Sequence, residues 1–276
     1  MAAIIQKLKE YFEKRPEVVL AFLFGSRIKG KERTSSDWDI GVYFKPFVYR
    51  ELETKATYPN ESKIWNDLRK ITGTETDMVV LNRAKPPLVF SVLNSGEPLV
   101  IKNRRLYLDL LHKTHYEALD WWQFTREFFE IRERSKSLSE EDKSFLREHV
   151  IFLENELKDL EKFKAMTQKE YIENRDQRRN IERWVENIVM ASIDIAKTIN
   201  ASQKRDMPET YRENLFQFAL QYATKEEAEE LASFADLRNI LANEYLDYRW
   251  KEISNFITKV PAFYPKFIQK TKQLLA

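Results

Sequence analysis

The chain has 276 residues, 46 basic and 44 acidic, with a net charge of +2, 43% hydrophobic residues and no cysteine. This is the composition of an ordinary globular protein, long enough for one large domain or two smaller ones. It excludes disulfides and thiolate metal sites, gives no global charge argument for nucleic-acid binding, and holds no apolar run near the ~18 residues of a membrane span. The lack of cysteine fits a cytoplasmic protein, and Met1 to Leu8 reads as a helix rather than a signal peptide.

Ile4, Ile5, Leu8, Tyr11 and Phe12 fall at helical spacing and stop before Arg15 and Pro16. Val18 to Phe24 is a continuous apolar run, the pattern of a strand buried on both faces. Gly25 and Ser26 follow directly, a small turn whose backbone N–H groups can approach a phosphate, and Ser26 is placed to cap a helix through Lys29. Trp38, Ile40, Val42 and Phe44 then alternate with Asp37, Asp39, Gly41 and Tyr43, which predicts a half-buried strand whose polar face carries the aspartates. Gly25, Gly30 and Gly41 crowd this stretch, and the backbone is expected to need unusual freedom there. Asn60 to Ser62 opens a helix bearing Ile64, Trp65, Leu68 and Ile71, which Gly73 stops. Thr76 to Leu81 reads as another strand, and Pro86–Pro87 starts a short helix closed by Gly96.

Asp37 and Asp39 are one residue apart on a strand, so their carboxylates point the same way. Two hard carboxylates beside a phosphate-approaching turn suit Mg²⁺ and phosphoryl or nucleotidyl transfer. Arg27, Lys29, Lys31 and Arg33 lie where they could neutralise a triphosphate, and a solvated charged loop explains them equally well.

On Gly25–Ser26, Asp37–Trp38–Asp39 and Asp77, this segment resembles the nucleotidyltransferase superfamily that includes DNA polymerase β, and within it the minimal nucleotidyltransferases of prokaryotes. The resemblance implies that Asp37, Asp39 and Asp77 are catalytic and hold two Mg²⁺ ions, Asp77 also helping to deprotonate the acceptor. It places Gly25, Ser26 and Arg27 at a nucleoside triphosphate, ATP or another, and implies transfer of AMP or another monophosphate to an unidentified hydroxyl acceptor.

Beyond residue 100 the pattern turns helical. Leu106, Leu110, Leu119 and Trp122 begin a long segment that runs on to Ile131. Arg134 to Asp142 is polar and Ser-rich, a linker whose end can cap the next helix. Apolar periodicity recurs over Phe145–Phe163, Ile181–Ile199, Leu215–Tyr222, Ala228–Trp250 and Phe256–Leu274, which predicts about five helices in a bundle. The expected class is α+β: an N-terminal α/β domain with a mixed sheet and a helical extension over 1–134, then an all-α bundle over 143–276.

Leu237 to Tyr245 carries a second resemblance, to HEPN domains, in which an Arg and a His separated by four residues serve RNA cleavage. In the branch partnered with minimal nucleotidyltransferases a Tyr follows two positions after the His, which matches Arg238 and Tyr245, and Arg175–Asp176 and Asp194–Ile195–Ala196 also fit. There the two proteins form toxin–antitoxin pairs in which the nucleotidyltransferase adenylylates the HEPN partner. This implies a fusion, a homodimer through the helical domain, and Tyr245 as a possible AMP acceptor. Asn243 stands where the pattern needs His, and an amide exchanges no proton near neutral pH, so RNA remains a weakly supported partner. A plain helix in which Arg238 and Tyr245 pair is the competing reading.

Alternatives from other classes are a non-catalytic nucleotide- or partner-binding module and an aminoglycoside-type small-molecule nucleotidyltransferase. His112, His115 and His149 lack a third ligand type and read as surface or packing residues. Trp121, Trp122, Phe124, Phe128 and Phe129 read as inter-domain core, and Arg175, Arg178, Arg179 and Arg183 as a helix face partnered by Asp176 and Glu182.

Overall fold

The computed structural model describes residues 1–25, 27, 37–134, 138–243 and 249–275, without the side chains of 239, 240, 242 and 243. Contacts divide the chain into two units, Met1–Gln123 and Phe124–Ala276. The expected cap at Ser26, Gly30, and the basic residues Lys29, Lys31 and Arg33 lie outside the described residues.

The first unit contains α1 (Ala2–Glu13), β1 (Val18–Phe24), β2 (Trp38–Phe44), α2 (Glu61–Thr72), β3 (Thr76–Val80), α3 (Pro86–Ser95), β4 (Glu97–Ile101) and the start of α4 (Arg104–Arg134). Its sheet has the order β3-β2-β1-β4. β1 runs antiparallel to β2 and β4, while β2 and β3 are parallel, so the sheet is mixed as expected. A parallel pair needs a crossover, and α2 supplies it.

Both faces of the sheet are covered. Leu8 and Phe12 of α1 and Ile64 and Leu68 of α2 pack with Ile40, Val42 and Phe44. Val89 and Val92 of α3, with Leu106 and Leu110 of α4, pack with Leu20, Phe22 and Tyr43. That sandwich explains the unbroken apolar run of β1. It also corrects the half-buried reading of β2, which is buried from Ile40 to Phe44 and leaves Asp39 as its one partly exposed residue. Gly41 serves space rather than backbone freedom, since a Cβ there would stand 2.9 Å from Val92 Cγ1.

β4 has no counterpart in the sequence expectations. It is five residues long, sits at the sheet edge and pairs Pro98 with Phe22 beside a register irregularity. Asn82, wholly buried, continues the β2 ladder where β3 ends: its Oδ1 accepts from Phe44 N–H at 2.8 Å and its Nδ2 donates to Phe44 C=O at 3.2 Å.

The second unit takes the end of α4, then α5 (Glu140–Glu156), a 3-10 turn (Leu157–Asp159), α6 (Leu160–Lys164), α7 (Gln168–Glu173), α8 (Arg175–Ser202), α9 (Tyr211–Ala219), α10 (Lys225–Asn243) and α11 (Trp250–Leu275). Ser139 caps α5 reciprocally with Asp142, as the polar segment suggested, and Thr167 with Glu170 repeats the device at α7. The units divide inside α4 rather than at the Ser-rich segment, because the end of α4 packs on the bundle. Phe128 and Ile131 cluster with Ala201, Phe124 meets Tyr211 edge-on at 5.1 Å, and Glu127 pairs with Lys197.

The expected aromatic core around Trp121 is only partly one. Phe124 and Phe128 are buried, whereas Trp122 is 46% and Phe129 39% exposed. Two expected long helices are split. Phe145–Phe163 breaks at the 3-10 turn, and Ala228–Trp250 divides between α10 and α11, with 244–248 outside the described residues. α11 keeps its helix through Pro261 and Pro265, both on its exposed side. Among the described residues no helix is long and apolar enough to cross a membrane.

Replacing Asn82 by Leu strips Phe44 of two buried partners, at about 1–3 kcal/mol for each stranded group. The urea midpoint of the variant is expected to fall with its slope unchanged. A midpoint equal to wild type would show that Phe44 does not depend on the Asn82 amide.

Candidate active site

The site of the first unit is built at one end of the sheet by strand register. β1 ends at Phe24, which pairs with Asp39 of β2, and Asp39 pairs in turn with Asp77 of β3. Gly25 follows at φ +85°, a left-handed conformation that side chains resist. A Cβ on it would fall 1.9 Å from Asp39 Oδ2 and 2.7 Å from its Cγ. Only glycine satisfies both demands, so the turn lies directly against the Asp39 carboxylate.

Asp39 is partly exposed, and Asp37 and Asp77 are exposed. Burial pushes the Asp39 carboxyl above the usual aspartate range, the charges of Asp77 and Asp37 push it further, and Arg27 opposes them. Asp39 therefore feels both of its acidic neighbours, Asp77 more than Asp37. Among the described residues no group of three or more His, Cys, Asp or Glu side chains has closed to a metal-holding arrangement. Arg27 is fixed beside them: its Nε donates to the Asp37 carbonyl at 3.1 Å, and its guanidinium lies 4.7 Å from the centre of the Trp38 ring. Ser26 lies outside the described residues.

In the second unit, Arg238 lies on α10, its Nε 2.9 Å from Met190 Sδ and its guanidinium 5.4 Å from the centre of the Tyr211 ring. Asn243 is the last residue of α10; its side chain, and all of Tyr245, lie outside the described residues. Arg238 lines a cavity of about 530 Å³ with His149, Phe152, Arg183, Met190 and Asp194. His149 is the residue that sequence reasoning passed over as packing. It comes from α5, remote from the motif in sequence, and no spacing rule links the two.

Two arginines of the expected α8 face, Arg178 and Arg183, have partners within the second unit. Arg178 donates to the carbonyls of Tyr171 and Ile172, Arg183 pairs with Glu186 at 2.9 Å, and Glu182 accepts from the Tyr171 hydroxyl at 2.5 Å. His112 and His115 pack against rings, His112 on Tyr116 and His115 on Phe90 and Tyr116.

Residues 6–105 match the family described as Polymerase beta, Nucleotidyltransferase, and residues 153–271 match the family described as Ribonuclease HepT-like. No curated protein matches the chain. Among solved structures, a crystal structure of a toxin–antitoxin with AMP-PNP is 24% identical, at a TM-score of 0.33, over 44% of this chain and 90% of that one. A mutant of the toxin–antitoxin MntA-HpeT is 20% identical, also at 0.33, over 45% of this chain and 92% of that one. The chain thus joins a nucleotidyltransferase domain of the polymerase-β family to a HepT-like domain, in that order.

Proposed function

We propose that the N-terminal unit transfers a nucleoside monophosphate, AMP from ATP in the simplest case, to a hydroxyl acceptor. The observation that carries this reading is the adjacency of the Gly25 turn, Asp39 and Asp77 across three strand ends. Carboxylate oxygens are hard donors suited to a divalent cation, the charges of Asp77 and Asp37 both bear on Asp39, and Asp37, Asp39 and Asp77 would hold Mg²⁺. When bound, the ion neutralises triphosphate charge and makes an acceptor hydroxyl more acidic.

The residues themselves divide the work. The backbone at Gly25 carries no side chain to bar a phosphate, and Arg27, braced on Trp38, offers a fixed positive charge. Asp77, exposed on its strand, accepts the proton of the incoming hydroxyl. The resemblance of Arg238 to Tyr245 to the HEPN partners of minimal nucleotidyltransferases makes a protein tyrosine the acceptor we favour. At position 243 of the second unit an amide replaces the imidazole, so the Arg238-to-Asn243 spacing alone moves no proton.

Incubation with labelled ATP and Mg²⁺, followed by intact-protein mass, is expected to show added AMP in the wild type. Asp77→Asn is expected to slow transfer about 100-fold or more while ATP still binds. Bound ATP with no transfer to the chain or to added hydroxyl acceptors would overturn the reading.

Asp39 also predicts a stability cost. A carboxyl raised in the fold favours folding fully only below its unfolded value, near ~3.9, and loses that contribution as pH rises through the raised value. At neutral pH the ionised group is therefore a burden. Asp39→Asn is expected to abolish transfer yet raise the urea midpoint at pH 7, with an unfolding free energy higher by less than about 1 kcal/mol after solvent screening, the difference vanishing at about pH 3. An Asp39→Asn variant less stable than wild type at pH 7 would show that the carboxylate is paid back by contacts of its own.

A further inference from the structure

The long helix α4 carries an apolar face that its own fold leaves uncovered. Leu106, Leu110 and Phe128 are buried along one side of it. On the opposite side Leu108, His112 and Leu119 fall almost on one line, at spacings of four and seven residues. Tyr116 flanks that line on one side and Trp122 on the other. Tyr116 is 59% exposed, and Leu108, Leu119 and Trp122 each nearly half. The rings are held in place: His112 meets Tyr116 edge-on at 5.0 Å, and Trp122 meets Phe90 of α3 at 5.9 Å. Together these side chains expose apolar surface on the order of 500 Å², near the top of the range for one contiguous patch on a monomer.

Charge identifies the occupant. The face opens with Arg104 and Arg105 and closes with Glu130 and Glu133, all exposed. Arg105 reaches Asp109 at 3.9 Å and Glu130 reaches Arg126 at 3.8 Å, loose pairs along an exposed helix, and the two ends keep opposite net sign. A partner of a single sign, such as a nucleic acid or an anionic lipid surface, would be attracted at one end and repelled at the other. A basic end, an apolar middle and an acidic end complement themselves when one copy is reversed. Leu119 stands midway between Arg105 and Glu133.

We propose that α4 is a self-association face, on which a second copy of the chain docks antiparallel about a twofold axis at Leu119. The arrangement lays the two apolar lines together over about 40 Å of helix and sets Leu119 against its counterpart. It brings Arg104 and Arg105 of each copy to the Glu130 and Glu133 end of the other. A contact of that length, with polar residues beside the apolar line, buries on the order of 800 Å² from each copy, which is what a stable interface needs. Residues 106–152 fall outside both family matches, so the face is a feature of this chain's own α4. It is distinct from pairing through the HepT-like unit and independent of nucleotidyl transfer.

The test compares full chains in solution by mass and by cross-linking, using the absence of natural cysteine. Leu119→Asp, which sets two carboxylates face to face on the axis, is expected to halve the particle mass at micromolar concentration with its thermal midpoint retained. Under mild oxidation Leu119→Cys is expected to form a covalent dimer, because a disulfide needs its two Cα atoms within about 7 Å. Leu108→Cys is expected to stay uncross-linked, since the reversed helix carries its counterpart about 33 Å away. Equal masses for wild type and Leu119→Asp, whether both are monomers or both are held together elsewhere, would overturn the proposal. Cross-linking of Leu108→Cys as readily as Leu119→Cys would overturn the antiparallel order.

Discussion

The contact on which the first unit's chemistry depends is the approach of the Gly25 backbone to the Asp39 carboxylate. It is a steric constraint before it is an electrostatic one, since any Cβ at 25 would occupy the space of Oδ2. Once the turn is seated there, the antiparallel pairing of Phe24 with Asp39 and the parallel pairing of Asp39 with Asp77 follow from strand register. A one-residue slip of β2 would send Asp39 to the other face, into the cluster of Leu8, Phe12, Ile64 and Leu68. The apolar packing on both sides of β2 thus fixes where the acids point. The core and the site are one constraint.

The second unit solves a related problem with different means. Lys197 is almost wholly buried among Asp194, Glu127 and the ring of Phe124, an arrangement that ties the end of α4 to α8. A buried lysine with two carboxylate partners is costly to assemble and costly to break, so it specifies one packing of these helices. The same carboxylate of Asp194 reaches toward His149 with its other oxygen. Rigid placement of Asp194 is therefore a by-product of how α4 and α8 are joined.

Much of this was legible in the sequence, for identifiable reasons. β1 announced itself by an apolar run, and the acids of β2 and β3 by strand period and by their place after the Gly25 turn. β2 was misjudged because Gly41 and Tyr43 look polar or neutral on paper, whereas α3 covers both. β4 was invisible because five residues with Pro98 carry too little period to outweigh the helical pattern on either side. The division inside α4 escaped because composition marks loops, while here a single helix serves both units. The nearness of His149 to the Arg238 cavity escaped for a deeper reason: tertiary packing, not spacing, puts residues of α5, α8 and α10 on one cavity, and sequence motifs record only what neighbours along the chain.

The order β3-β2-β1-β4 leaves two strands with open sides, and each carries an answer to the hazard. An unpaired strand edge is a template for another chain, and natural sheets blunt it with proline or with charge. β4 has Pro98, which lacks the N–H that a docking strand would need. β3 has Asp77, exposed and negative at its start. The acid assigned to chemistry thus also discourages strand addition at the edge nearest the site, so solubility and catalysis draw on the same carboxylate.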